Sequence, residues 1–168
     1  MLETGKSFVI GDNAIKYDFK LSLAEVHYKM GEFDECEKTY EEILREQPLH
    51  ATALNNYAYY LARRGYRLRD AEKYIAKAIE LEGENASFTD TYGYIMFADS
   101  KYEKAIKYYT KALNEEPKSA EILEHKGDAL FKSGNEIEAL KFWQLAKTNG
   151  GNSNTLLKKI ENKKYYEE

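Results

Sequence analysis

One motif returns along this chain at almost constant spacing, and that recurrence restricts the fold more than any single residue does. The segment Gly31-Glu32-Phe33-Asp34-Glu35-Cys36 is echoed by Gly65 to Ala71, Ser100 to Ala105 and Gly134 to Ala139. The small residues closing each segment, Cys36, Ala71, Ala105 and Ala139, are 35, 34 and 34 residues apart. A second marker follows each of them twelve residues later, at Pro48, Gly83, Pro117 and Gly151. A period of this length holds one supersecondary unit, which must stack on its copies to bury its apolar face. The units are 17–50, 51–85, 86–119 and 120–153, with a lead-in at 1–16 and a final segment at 154–168. The second unit carries one extra residue, in the turn from Gly65 to Asp70.

Each unit has two apolar blocks with the helix period. The first blocks contain Leu23/Ala24/His27, Leu54/Tyr57/Ala58/Leu61, Tyr92/Gly93/Met96 and Leu123/Gly127/Leu130. The second contain Tyr40/Ile43/Leu44, Ile75/Ala78/Ile79, Tyr109/Ala112/Leu113 and Trp143/Ala146. Glycine between the blocks ends one helix, and proline or glycine after the second block stops the other. Small residues recur at the eighth position (Ala24, Ala58, Gly93, Gly127) and the twentieth (Cys36, Ala71, Ala105, Ala139). The twenty-seventh holds Ile43, Ala78, Ala112 and Ala146. Such residues let two helices approach at the short end of the usual ~8–10 Å range. Tyr40, Ile75, Tyr109 and Trp143 fill the space beside them.

This arrangement resembles the tetratricopeptide repeat, most closely in 86–119, with Asp90-Thr91-Tyr92-Gly93-Tyr94, Tyr102-Glu103-Lys104-Ala105, Lys111-Ala112-Leu113 and Pro117. Cys36, Ile43, Ser100, Glu136, Gly83 and Gly151 depart from the family pattern. The resemblance implies an all-α fold, a right-handed superhelical stack of antiparallel helix pairs. It also implies a protein–protein interaction module or adaptor that is not an enzyme, and a concave groove lined by the first helix of each pair. Carried over by position, the groove residues are Tyr28, Asn55, Asn56, Tyr59, Arg63, Asp90, Thr91, Tyr94, Phe97, Glu124, His125, Asp128 and Phe131. On the full wall the carboxylates Asp18, Glu25, Asp90, Glu121, Glu124 and Asp128 outnumber the cations Lys29, Arg63 and Lys132. The wall thus reads as acidic and rich in aromatic surface, suited to a basic or mixed basic-apolar protein segment. Asn55 and Asn56 can donate to and accept from a peptide backbone. Chaperone-tail binders hold a terminal carboxylate with Lys and Asn in one unit, Asn in the next and Lys plus Arg in a third. Here Asn56 fits the middle role, but the first-unit positions are Leu21 and Glu25 and the third-unit positions Ser87 and Thr91. Binding of such tails is not expected.

The ends differ. Residues 154–166 read as a capping helix, with Leu156, Leu157 and Ile160 inward and Lys158, Lys159, Glu161, Lys163 and Lys164 forming a solvated face. Leu2, Phe8, Val9 and Ile10 have no helix partner in sequence, so 1–16 reads as the remnant of an upstream unit, with a helix starting near Asp12 or Asn13. That exposed end makes self-stacking into a homo-oligomer an alternative role. A non-catalytic targeting region of a larger enzyme is another.

Composition narrows the chemistry. A net charge of −4 disfavours nucleic acid, which needs a basic stripe to displace counterions. No segment has the apolar length for membrane insertion, and compartment is undetermined: a soluble domain, cytoplasmic by default, or in a bacterial envelope if a longer precursor carries a signal. The one cysteine, Cys36, rules out an internal disulfide and makes no zinc site with the histidines at sequence spacing. No phosphate-binding glycine loop or nucleophile motif is present, and no cofactor is expected. His27 reads as a packing residue, His50 as part of a turn, and His125 as groove-facing beside Glu124 and Asp128.

Overall fold

The computed structural model describes the backbone of residues 3–166 and the side chains of residues 15–166. Among these residues it is entirely helical, with α1 (Glu3–Met30), α2 (Phe33–Glu46), α3 (Ala51–Arg63), α4 (Leu68–Glu82) and α5 (Ala86–Ala98). Then come α6 (Tyr102–Glu115), α7 (Ala120–Lys132), α8 (Glu136–Thr148) and α9 (Asn154–Asn162). Consecutive helices pack as hairpins, α1 with α2, α3 with α4, α5 with α6 and α7 with α8. The inner helices α3, α5 and α7 also meet one another, and the result is an α-solenoid closed at one end by α9. Helix α1 runs unbroken through Asp12 and Asn13, in place of the start expected there. The side chains of Phe8, Val9 and Ile10, and all of Leu2, lie outside the described residues.

The small-residue positions set how closely the hairpins close. Ala24, Ala58, Cys36, Ala71, Ala105, Ala139, Ala78, Ala112 and Ala146 are all fully buried. At the eighth position the residue is matched to the aromatic it faces. A Cβ on Gly93 would lie 2.6 Å from the Tyr109 ring, and one on Gly127 would lie 2.5 Å from the Trp143 indole. Tyr109 and Trp143 are buried, so glycine there makes room for a large ring in the hairpin core.

Turn chemistry repeats with the same period. His50, Asn85, Ser119 and Ser153 each cap the helix that follows, their side chains accepting from the backbone N–H three residues on. The hairpin turns place Gly31, Gly65 and Gly134 at positive φ, and Ser100 occupies the equivalent position at φ +57. After α8 the positive-φ residue is Gly150, not Gly151. Gly151 is small for another reason, since a Cβ there would meet Leu156 at 2.7 Å and the Ala146 carbonyl oxygen at 2.9 Å.

Tyrosine supplies much of the packing between hairpins. Tyr57 is fully buried and stacks on Tyr40 (5.2 Å between centroids) and Tyr74 (5.1 Å), joining α2, α3 and α4. Its hydroxyl donates to Glu37 at 3.0 Å. Each such ring pair adds about 0.5–1.5 kcal/mol beyond area burial. The inserted turn contributes Arg67, at φ +49, whose guanidinium pairs with Glu37 and donates to Asp70 at 2.9 Å. The extra residue thus ties α4 back to α2.

Candidate functional groove

The inner helices place their side chains on one concave wall, and the wall divides into an open half and a filled half. The open half lies between α1 and α3. Helix α1 packs on α2 but does not close against α3 as α5 does. That leaves a cleft of about 540 Å³, lined among others by Asp18, Glu25, Tyr28, Asn56, Tyr59 and Arg63. Tyr28, Asn56, Tyr59 and Arg63 are half-buried. The Arg63 guanidinium stands over the Tyr28 ring at 5.4 Å and near Tyr59 at 6.0 Å. Lys29 pairs with Glu25 at 2.5 Å.

The filled half, between α5, α7 and α9, holds a buried polar network. His125 Nδ1 lies 3.0 and 3.2 Å from the two Asp90 oxygens, joining α7 to α5. Burial alone would push the His125 pKa down; the adjacent Asp90 carboxylate outweighs it, and the pKa stands at about 9. Three tyrosine rings surround the imidazole, Tyr94 at 5.0 Å, Tyr109 at 5.6 Å and Tyr59 at 6.4 Å. Nearby, the Lys159 ammonium donates to Glu124 at 2.9 Å and to Asp128 at 2.8 Å. Asp128 also accepts from the Trp143 indole N–H at 2.8 Å. Burial raises the Asp128 pKa to about 6, with Lys159 opposing that rise.

Lys159 corrects the expected solvated face of the capping helix, because its side chain is 0% exposed. Helix α9 takes the place a further inner helix would occupy, and Lys159 satisfies the two carboxylates that α7 directs there. The signal was present as Lys159 three residues after Leu156, on one helix face, opposite an i,i+4 acidic pair.

Of the residues assigned to the groove by position, Tyr28, Asn56, Tyr59 and Arg63 line the cleft. Tyr94 and Phe97 are half-buried further along, where Phe97 meets Tyr102 (5.6 Å) and Tyr165 (6.1 Å). Phe131 stacks on Trp143 at 5.6 Å. Glu124, His125 and Asp128 are buried rather than on the open wall that the positional assignment gave them, whereas Asn55, Asp90 and Thr91 are largely covered but line a smaller cavity between α3, α5 and α7. Neighbouring inner helices meet Asp90 and His125, and α9 covers Glu124 and Asp128. This also corrects the acidic character of the groove. Asp90, Glu124 and Asp128 are matched internally by His125 and Lys159, which leaves Asp18, Glu25 and Glu121 against Lys29, Arg63 and Lys132.

Cys36 is buried, and burial pushes its thiol up to about 12. No helix among the described residues is long and apolar enough to cross a membrane.

Hairpins nested through small residues, with inner helices lining a groove, define a helical-repeat protein of the solenoid class. The sequence profile of the tetratricopeptide repeat matches residues 21–86 and 91–154, more than half of the chain, and the protein belongs to that family. No match is found among the curated proteins. Similar solved structures include PilF of Pseudomonas aeruginosa, with 16% identity and a TM-score of 0.71 over 87% of this chain and 66% of that one. A tetratricopeptide repeat protein of Parabacteroides merdae has 18% identity and a TM-score of 0.75 over 85% of this chain and 57% of that one. The protein TTC0263 of Thermus thermophilus has 16% identity and a TM-score of 0.75 over 86% of this chain and 79% of that one. The chain spans about two thirds or less of the length of the first two. At these identities the likeness is one of fold. Members of this repeat family act generally as non-catalytic scaffolds for protein–protein interaction.

Proposed function

We propose that this protein is a non-catalytic adaptor that holds an extended segment of a partner protein in the cleft between α1 and α3. The observation that carries this reading is the open cleft of about 540 Å³ lined by Tyr28, Asn56, Tyr59 and Arg63. Tyrosine rings offer contact area at low rotamer cost. Asn56 supplies amide hydrogen bonds for a peptide backbone, and the stacked Arg63 supplies a directed donor. Lys29 pairs with Glu25 on the facing helix, so Asp18 is the carboxylate that would meet a cation of a mixed basic-apolar segment. A short flexible ligand has an expected Kd on the order of micromolar, about −8 kcal/mol. Peptides selected on the intact chain by phage display test the reading. The Tyr28→Ala/Asn56→Ala variant is expected to bind them at least several-fold more weakly with unchanged helix content. Selected peptides that bind both forms equally would move the working surface elsewhere.

A second reading rests on α1. Ile15, Phe19, Val26 and Met30 are exposed by 69%, 68%, 49% and 65%, and with Leu23 they form an apolar stripe. Spacing of three and four residues places them on one face, and a further helix would cover it. We infer self-association through this stripe as the alternative role. Light scattering separates the two: a dimer abolished by Phe19→Glu/Val26→Glu favours the stripe, and a monomer at all concentrations excludes self-association.

A further inference from the structure

We propose that Asp90, Glu121 and His125, together with the side-chain oxygen of Asn55, bind a divalent first-row transition ion such as Zn2+ between α3, α5 and α7. Glu121 and His125 are one turn apart on α7 and share a face, and Asp90 reaches them from α5. One donor atom from each of the three lies within 4.8 Å of the others. Ligands about 2.0–2.2 Å from a tetrahedral ion stand roughly 3.3–3.6 Å from one another. The 3.0 and 3.2 Å between His125 Nδ1 and the Asp90 oxygens are close to that spacing. Glu121, whose side chain is exposed, is free to close the remaining distance to His125 and Asp90.

An independent observation points to a ligand at the same place. Asn55 is 6% exposed, and its side-chain oxygen has no hydrogen-bond partner. Its amide N–H donates to Asn56 at 3.1 Å, which fixes the side chain's orientation. Asn55 lines the same cavity of about 220 Å³ as Asp90, Glu121 and Tyr59. A buried acceptor left unmatched keeps the full cost of its desolvation, and a cation in this cavity supplies the missing interaction. The His125–Asp90 ion pair alone accounts for neither the orphaned oxygen nor the convergence of Glu121.

The supporting contacts hold the donors in place. Tyr94, Tyr109 and Tyr59 confine the imidazole, and the Tyr59 hydroxyl donates to Glu121 at 3.4 Å. Such outer contacts orient metal ligands. The ion replaces the proton between Nδ1 and Asp90, and that proton leaves to solvent. One imidazole nitrogen with three oxygens suits Zn2+ and its first-row neighbours better than Mg2+ or Ca2+, which favour all-oxygen sites.

Isothermal titration of the tag-free chain, stripped with EDTA and exchanged into a non-chelating buffer, tests the site. Zn2+ is expected to bind one per chain, and Mg2+ is not expected to compete at equal concentration. Glu121→Gln, at an exposed position, is expected to weaken Zn2+ at least about tenfold with helix content unchanged. His27→Gln is expected to leave binding intact; it removes the separate surface contact between His27 and Glu32 at 2.6 Å. Absence of stoichiometric Zn2+ binding below roughly 100 µM, equal binding by Glu121→Gln, or loss of binding in His27→Gln would overturn the proposal.

Discussion

Replacing Lys159 by methionine perturbs the one place where a fully buried charge joins the capping helix to the last hairpin. Methionine keeps most of the stem's packing volume and removes the ammonium. Glu124 and Asp128, held at 2.9 and 2.8 Å, then face each other without a cation in a site that water does not reach freely. Breaking a buried ion pair from one side costs about 3–5 kcal/mol, because the remaining charge stays desolvated. For a chain of this length, each kcal/mol lowers Tm by about 2–4 °C, so the expected drop is about 6–20 °C. Repeat stacks share their stability between neighbouring interfaces, so the loss falls first on the α7–α9 contact. Trp143 is the only tryptophan, is fully buried, and donates its indole N–H to Asp128. Its fluorescence during urea unfolding therefore reports from the perturbed site. Lys159→Met combined with Glu124→Gln and Asp128→Asn removes all three charges, and the amide oxygen introduced by Asp128→Asn still accepts from the indole. That triple variant is expected to recover more than half of the loss. A single-variant effect below about 1 kcal/mol, the size expected of an exposed pair, would refute the account of Lys159 as a buried counter-charge.

Three further outcomes test other parts of the structure. Gly127→Ala drives a methyl group into the Trp143 indole and Gly93→Ala drives one into Tyr109; each is expected to cost about 1–3 kcal/mol in chemical denaturation. Ser100→Gly relieves a left-handed backbone at φ +57 and is expected to stabilise the fold by about 0.5–1 kcal/mol, read as a higher urea midpoint at unchanged slope. Cys36, with its thiol pushed up to about 12, is expected to react with a thiol reagent at pH 8 only after denaturant is added; rapid labelling of the native protein would show the α1–α2 hairpin to be open.

The repeat period, the hairpins and the small-residue contacts were legible in the order of residues alone. They depend on local rules: helix spacing, turn glycines, and the volume allowed beside a given aromatic. Even the caps His50, Asn85, Ser119 and Ser153 follow the same period and can be read from it. Groove membership was legible only as position on a helix. Position says which way a side chain points from its own axis and nothing about what comes to rest on it. Asp90 and His125 point inward as their positions require, yet the next inner helix buries them against each other. Glu124 and Asp128 point inward as well, and α9 brings Lys159 over them from more than thirty residues away. What the sequence determined by itself was the unit and its stacking, because those energies arise between near neighbours. The tertiary structure alone decided which charges are neutralised and where the wall stays open, because desolvation depends on every segment that closes over a group.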